Sequence, residues 1–166
     1  MKLQTPNVKL QLLFRNEYVH SGGVNIMMRF KHYTIAVNDL DSAVHNYKQL
    51  FGMSALSDRQ HNDVGNFDAI SMGYDDTTIL QLIEPSNEDT PVARLMQDRK
   101  NEFNPHGEGV YLLAFEADDS EQIAQMIESN GGRITRIPGS ANFFVHPTSS
   151  NFGFMEIFPK PNDANS

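Results

Sequence analysis

One pattern occurs twice in this sequence, 80 residues apart, and it restricts the fold more than any other feature. Each copy has a short apolar run, an aspartate, an amphipathic stretch and a glycine stop. These features are residues 33–37, Asp39 and Gly52 in the first copy, and residues 110–115, Asp119 and Gly131-Gly132 in the second. An aspartate before an apolar stripe of helical period can accept bonds from the free N–H groups of a helix start, and glycine supplies a left-handed end. Each copy therefore predicts a strand followed by a helix.

Two more strand candidates follow each predicted helix. They are residues 67–72 and 77–83 in the first half, and the stretches NFFVH and FGFMEIF in the second. We therefore expect an α+β fold of two tandem βαβββ modules, residues 29–84 and 108–159, that form one curved, partly open barrel-like sheet with the helices outside. Residues 85–107 connect the modules and include a predicted helix from Pro91 to Arg99. Residues 1–28 are expected to be an N-terminal arm or a translated leader, and residues 160–166 a tail.

Charge and composition exclude several classes of function. The chain has 21 acidic and 13 basic residues, a net charge of -8, and no run of Lys or Arg, so it lacks the footprint of a nucleic-acid binder. It has no cysteine, which excludes disulfides, thiolate catalysis and cysteine-based zinc sites. No apolar stretch is long enough to span a membrane. We expect a cytoplasmic protein whose partner is a small molecule, bound without nucleic acid or membrane.

Three polar residues interrupt strands that otherwise read as buried. They are His32 in KHYTIAV, Gln81 in TTILQLIEP and Glu156 in FGFMEIF. A buried polar group without a partner is costly, so each needs a reason, and for each residue taken singly a structural role is the simpler interpretation. Taken together, an imidazole, an amide and a carboxylate form a donor set for Zn, Mn, Co, Ni or Fe(II). Alternation along the strands would let all three point into one cleft.

The order of several segments resembles the vicinal oxygen chelate superfamily, and within it the methylmalonyl-CoA epimerases. The similar segments are HYTIAVNDLDSAVHNYKQLFGM, LQLIEP, TPVARLM, HGEGVYLLAFEADD and HPTSSNFGFMEIF. Single segments are generic, whereas their order, over residues 30–158, is specific.

The resemblance implies a set of functional residues. Metal ligands of the family fall on His32, Gln81, Leu112 and Glu156, and leucine at the third of these positions cannot donate. The family's second carboxylate, a base across the substrate from Glu156, falls on Asp68, where the family has Glu and the carboxylate sits roughly 1.5 Å further back. Three protein ligands still suffice for a catalytic zinc ion.

Further residues are candidates for substrate contact. Leu112 and its neighbour Tyr111 lie beside the expected site, although alternation predicts that Tyr111 faces the other side of its strand. His146 precedes Pro147 in a turn, where it is a candidate for the rim of the cleft. The C-terminal phenylalanines are expected in the core by default, and some of them could wall an apolar substrate pocket.

The resemblance implies a metal-dependent epimerase or isomerase that transfers a proton next to a carbonyl, with Glu156 and Asp68 as acid and base. The expected substrate is methylmalonyl-CoA or a related acyl thioester, and a homodimer is expected. A glyoxalase-type lyase or isomerase on another substrate is the first alternative. A binding protein that has lost the metal chemistry is the second, and Leu112 and Asp68 favour it. An extradiol dioxygenase is disfavoured, because such sites use two histidines and Leu112 removes one.

Overall fold

The computed structural model describes residues 27–151 and 153–161. The predicted arm, residues 1–28, lies almost wholly outside the described residues, as does most of the predicted tail. The elements, in chain order, are β1 (Met28–Ala36), α1 (Leu40–Phe51), β2 (Ser54–Ala55), β3 (Gln60–Asn62), β4 (Phe67–Tyr74), β5 (Thr77–Pro85), α2 (Pro91–Arg99), β6 (Gly109–Ala117), α3 (Ser120–Ser129), β7 (Ile134–Arg136), β8 (Phe143–Val145), a 3₁₀ turn (Pro147–Ser149) and β9 (Met155–Pro159).

Both predicted helix starts carry the same cap. The side chain of Asp39 accepts a hydrogen bond from the backbone N–H of Ser42, and that of Asp119 accepts one from Gln122, each at 2.9 Å. At the end of α1, Gly52 adopts the left-handed conformation with φ of 66°, which a residue without a Cβ takes at little cost. The two helix starts are therefore equivalent, as their sequences predict, whereas α3 ends on Asn130 instead of a glycine cap.

All nine strands belong to one mixed sheet, and the predicted α+β class with a curved, open sheet is confirmed. The strand order is β2-β4-β5-β1-β6-β9-β8-β7, and β3 pairs with β4. In each half the first strand runs parallel to the last, β1 with β5 and β6 with β9, while β1 and β6 pair antiparallel in the middle. The short strands β2, β3 and β7 were not predicted, because their two or three mostly polar residues give no apolar run that marks a strand.

The pairing of β1 with β6 gives the fold an internal twofold relation. His32 lies opposite Ala114, and Thr34 lies opposite Leu112. An offset of 80 residues converts the first pair into the second, so an approximate twofold axis passes between these two strands.

The two faces of the sheet differ in what covers them. Helices α1 and α3 cover one face, called here the helix face, where two apolar clusters lie. Leu40, Met72, Leu80 and Leu82 belong to the cluster under α1, and Ala124, Phe143 and Ile157 to the cluster under α3. The opposite face, called here the open face, is covered at one end by α2, whose Val92 and Met96 pack on Ala36, Ala69 and Ile83. In the part of the chain that the structure describes, no helix has the length and apolar character needed to cross a membrane.

Removing a core side chain from the helix face tests this packing. Leu82 is fully buried under α1, so Leu82→Ala leaves a cavity and should lower the free energy of unfolding by about 2–5 kcal/mol. Leu50 on α1 is 73% exposed, so the same truncation there should change the free energy by about 0.5 kcal/mol or less. Urea denaturation measures both variants, and equal losses would contradict the assigned core.

Candidate functional site

The structure brings His32, Gln81 and Glu156 onto the open face. Residues directly opposite each other on paired strands point to the same face, and alternate residues on one strand do so too. Gln81 lies opposite Thr34, two residues from His32, and Glu156 lies opposite Ala114, which in turn lies opposite His32. Three strands that are distant in sequence therefore contribute one polar residue each to the same surface.

These residues occupy positions related by the internal twofold axis. Gln81 lies beside Thr34 in the first half, just as Glu156 lies beside Ala114 in the second. The position equivalent to His32 is Leu112, which is 6% exposed and points to the same face. One strand separates His32 from Glu156, so their Cα atoms are about 10 Å apart, two strand spacings. The duplicated scaffold thus presents four related positions, of which three carry polar side chains and one is apolar.

Burial shifts the proton affinities of the polar groups. Burial raises the pKa of Glu156, and a hydrogen bond that Asn142 donates to its Oε1 offsets part of that rise. Burial also lowers the pKa of His32, and the neighbouring charge of Lys31 adds to the effect, so the imidazole is neutral at physiological pH. The pKa of Tyr111 is raised, first by burial and then by the charge of Glu156, so its hydroxyl stays protonated.

The donor chemistry of the site fits a divalent cation. A neutral imidazole, an amide oxygen and a carboxylate are ligands of borderline divalent ions, and His32, Gln81 and Glu156 would hold such an ion. Within the described residues, no group of three His, Cys, Asp or Glu side chains is placed to bind a metal. The set therefore depends on the amide of Gln81, and the leucine at position 112 contributes nothing to it.

Asp68 lies on the other face of the sheet. Residues 67, 69 and 71 of β4 share the open face with Gln81, which lies opposite Ser71, so Asp68 points to the helix face. There its carboxylate is 2.8 Å from Nδ1 of His61 and 3.4 Å from Arg59. The hydrogen bond with His61, together with Arg59, holds the pKa of Asp68 below its ordinary value. The structure therefore does not place Asp68 across a substrate from Glu156, as the sequence comparison had led us to expect.

The three candidate substrate contacts differ in position. Tyr111 is an extra residue in the ladder, because Leu112 pairs with Thr34 while Val110 pairs with Ile35. This bulge turns its ring toward the open face, where it meets Phe154 edge-on at 5.5 Å. The prediction from simple alternation was wrong for Tyr111, because a bulge adds one residue to one strand only.

His146 is held in the turn after β8. Its Nδ1 lies 2.8 Å from the hydroxyl of Thr148, and its side chain caps the 3₁₀ turn. These hydrogen bonds stabilise the turn after β8, which is a structural role for His146.

Two residues near Glu156 gave no clear signal in the sequence. Asn142 comes directly before β8 in a polar loop, and nothing in that loop indicates that its amide reaches Glu156. Phe144 lies opposite Glu156, whereas its neighbour Phe143 is buried in the core. Two adjacent phenylalanines look alike in sequence, and the pairing of β8 with β9 decides which of them reaches the site.

Two surface cavities lie away from these residues. One, of about 780 Å³, is lined by residues of α2 and adjacent loops, including Asn38, Arg94 and His106. The other, of about 570 Å³, lies beside α3 and is lined by apolar residues such as Met126, Val145 and Met155. Neither cavity is lined by His32, Gln81 or Glu156. The candidate site therefore lies on the open face, outside both cavities.

Known proteins share both the sequence pattern and the fold. Residues 31–144 match the model of the glyoxalase/bleomycin resistance protein/dioxygenase superfamily. The ethylmalonyl-CoA/methylmalonyl-CoA epimerase of Cereibacter sphaeroides is 26% identical over 136 residues, which cover 78% of this chain and 96% of the relative. The structure of methylmalonyl-CoA epimerase from Mycobacterium tuberculosis has a TM-score of 0.66 at 24% identity, covering 82% of this chain and 91% of that one.

A structure with a bound ligand is also similar. A variant of Streptomyces coelicolor methylmalonyl-CoA epimerase in complex with 2-nitronate-propionyl-CoA has a TM-score of 0.64 at 26% identity, covering 80% of this chain and 97% of that one. The match to the family model spans more than half of the sequence. The chain therefore belongs to the glyoxalase/bleomycin resistance protein/dioxygenase superfamily.

Proposed function

We propose that this protein catalyses proton transfer at the carbon next to the carbonyl of an acyl thioester, as an epimerase or isomerase. The observation that carries this proposal is the half-buried carboxylate of Glu156 on the open face, whose pKa burial raises. A general base works best when its pKa lies near the operating pH, and burial moves a carboxyl group in that direction. Similarity to methylmalonyl-CoA epimerases supports methylmalonyl-CoA or a related thioester as the substrate.

Glu156 has one oxygen fixed by the protein and another left for the substrate. Asn142 donates to Oε1, which orients the carboxylate without neutralising it. Oε2 would accept the proton from the α-carbon while the electron pair of the C–H bond moves into the enolate, and it would return the proton afterwards. The protonated hydroxyl of Tyr111 is a candidate donor to the enolate oxygen.

A metal would assist this transfer from the positions of His32, Gln81 and Glu156. When bound, a divalent ion such as Zn, Mn, Co, Ni or Fe(II) supplies Lewis-acid polarisation of the carbonyl. His32 is suited to this role because its lowered pKa keeps a lone pair on the imidazole at neutral pH.

The position of Asp68 on the helix face affects the stereochemistry of the proposed reaction. A base on each side of the α-carbon inverts the centre directly, whereas Glu156 alone removes and returns the proton on one side. Glu116 also lies on the open face, but its carboxylate lies 3.9 Å from the ammonium group of Lys31. Inversion then requires that water protonates the enolate from the opposite side while Glu156 loses its proton to solvent. We therefore propose that exchange of the α-proton with solvent is faster than inversion.

A binding protein of the same superfamily is the second candidate function, and Leu112 favours it because it leaves one ligand position without a donor. A glyoxalase-type reaction would use the same residues on another substrate. In each case we propose a small-molecule partner, a cytoplasmic location and a homodimer. The homodimer rests on the family resemblance.

Exchange of the α-proton tests the catalytic proposal. Incubation of methylmalonyl-CoA and other 2-substituted acyl-CoA thioesters in D₂O should give deuterium at the α-carbon, measured by mass spectrometry. Glu156→Gln removes the base and should slow exchange by about 10²–10⁴-fold. Asp68→Asn is the matched control: it should leave the exchange rate near that of the wild type, because Asp68 lies on the helix face.

Two results would contradict the catalytic proposal. Exchange that survives intact in Glu156→Gln would remove this residue from the mechanism. Tight binding of a thioester without exchange would favour the binding protein.

The raised pKa of Glu156 predicts how stability depends on pH. The folded protein binds this proton more tightly than the unfolded chain does, so the ionised form destabilises the fold as pH rises above the ordinary pKa through the raised one. Glu156→Gln removes this penalty and keeps a polar partner for Asn142. Its Tm should therefore exceed that of the wild type at pH 8, with a smaller difference at pH 4. A difference that is independent of pH would contradict the assigned shift.

Metal affinity tests the donor set independently of catalysis. His32→Ala removes a ligand and should weaken binding of Zn or Co, measured by calorimetry. Leu112→His adds a donor at the twofold-related position, and it should strengthen binding by at least the roughly tenfold that outer-shell partners supply. Asp68→Asn should leave the affinities for Zn and for Co unchanged. If Leu112→His and the wild type bound metal equally, position 112 would not face the same centre as His32.

A further inference from the structure

The residues that surround Glu156 on the open face are mostly apolar. Phe144 lies directly opposite it on β8 and the small Ala114 opposite it on β6. Alternation along β9 turns Phe158 toward the same face, two residues further on, and Phe154 comes two residues before. Aromatic side chains therefore lie next to the carboxylate of Glu156 on the open face.

Three of these rings form a continuous wall beside the carboxylate. Phe144 and Phe154 stack with ring centroids 5.1 Å apart, and Tyr111 meets Phe154 edge-on at 5.5 Å. We call Tyr111, Phe144 and Phe154 the aromatic wall. All three are half-buried, and α1 and α3 cover the other face of the sheet, so the rings keep surface that a ligand at Glu156 can cover.

Positions related by the twofold axis carry different residues in the two halves of the site. Leu112 is buried next to Tyr111, at the position where the first half carries the imidazole of His32. The first half therefore offers His32 and Gln81, whereas the second places apolar side chains around the carboxylate of Glu156.

The basic side chains of β1 near this region already have partners. Lys31 lies over the ring of Phe158, 5.5 Å from its centroid, and 3.9 Å from Glu116. Arg29 pairs with Asp118 at 2.9 Å. Both of these cations therefore already face carboxylates of the protein, and what the aromatic wall itself offers a ligand is apolar contact.

We propose that the group carried by the reacting carbon of the substrate is apolar, either an aromatic ring or a branched alkyl chain, and that it lies against the aromatic wall. This inference rests on the proposed function and narrows it: among the thioesters related to methylmalonyl-CoA, those with a 2-aryl or branched 2-alkyl group are favoured. The reaction stays balanced, because the proton that Glu156 accepts from the α-carbon is returned to it and no co-reactant is consumed.

Binding of unreactive analogues tests the preference separately from catalysis. The probes are two coenzyme A thioethers, S-(2-phenylpropyl)-CoA and S-(2-carboxypropyl)-CoA, titrated by calorimetry into the metal-free protein. The phenyl analogue should bind at least about tenfold more tightly, since contact with the aromatic wall favours it.

Variants of the aromatic wall locate that preference. Phe154→Leu keeps apolar volume but removes the ring that both other members contact, so it should reduce the preference about two- to tenfold. Phe103→Leu is the matched control, because Phe103 is 90% exposed and follows α2 outside the aromatic wall, and it should leave the preference unchanged. Circular dichroism confirms that both variants are folded.

The outcomes separate the inference from the proposed function. Equal or tighter binding of the carboxylate analogue, or binding of neither analogue, overturns the inference. Deuterium exchange on methylmalonyl-CoA together with none on 2-phenylpropionyl-CoA overturns the inference and leaves the proposed function standing. Tight binding of the phenyl analogue with no exchange on any thioester upholds the preference of the pocket and overturns the proposed catalysis.

Discussion

The antiparallel pairing of β1 with β6 is the interaction on which the rest of the molecule depends. Each half of the chain makes a strongly curved piece of sheet that covers one helix, and a half of this size buries too little apolar surface to be stable alone. Joining the two first strands makes one continuous sheet and creates the twofold axis. A slip of one residue in β1 would turn His32 to the helix face, so the register that builds the core also builds the site.

Duplication supplied equivalent positions, and the two halves now use them differently. Gln81 and Glu156 correspond to each other, as do His32 and Leu112. Because the second half is apolar around its acid, the carboxylate of Glu156 loses solvation and gains proton affinity. The symmetric scaffold thus has a polar half that carries His32 and Gln81 and an apolar half around Glu156.

Carboxylates on the two faces of the sheet have different physical roles. Arg59 joins Asp41 in α1, Asp68 in β4 and Glu84 in β5, so these acids fasten the first turn of the helix to the sheet. Their charges are paired and partly solvated, and each such contact contributes modestly to stability. Glu156 has an amide partner instead of a cation, and burial raises its pKa while the hydrogen bond from Asn142 offsets part of that rise.

The sequence by itself determined the repeat, the two helix caps and the long strands. It also predicted the set formed by His32, Gln81 and Glu156. Capping residues, glycine stops and apolar periodicity act over a few neighbours, so they can be read along the chain. The tertiary structure alone decided that a bulge turns Tyr111 to the open face, that Asp68 faces the helices and that Asn142 reaches Glu156. The physical reason is that the face of a residue depends on register and bulges, which are set by the partner strand, and a linear pattern contains no record of that partner.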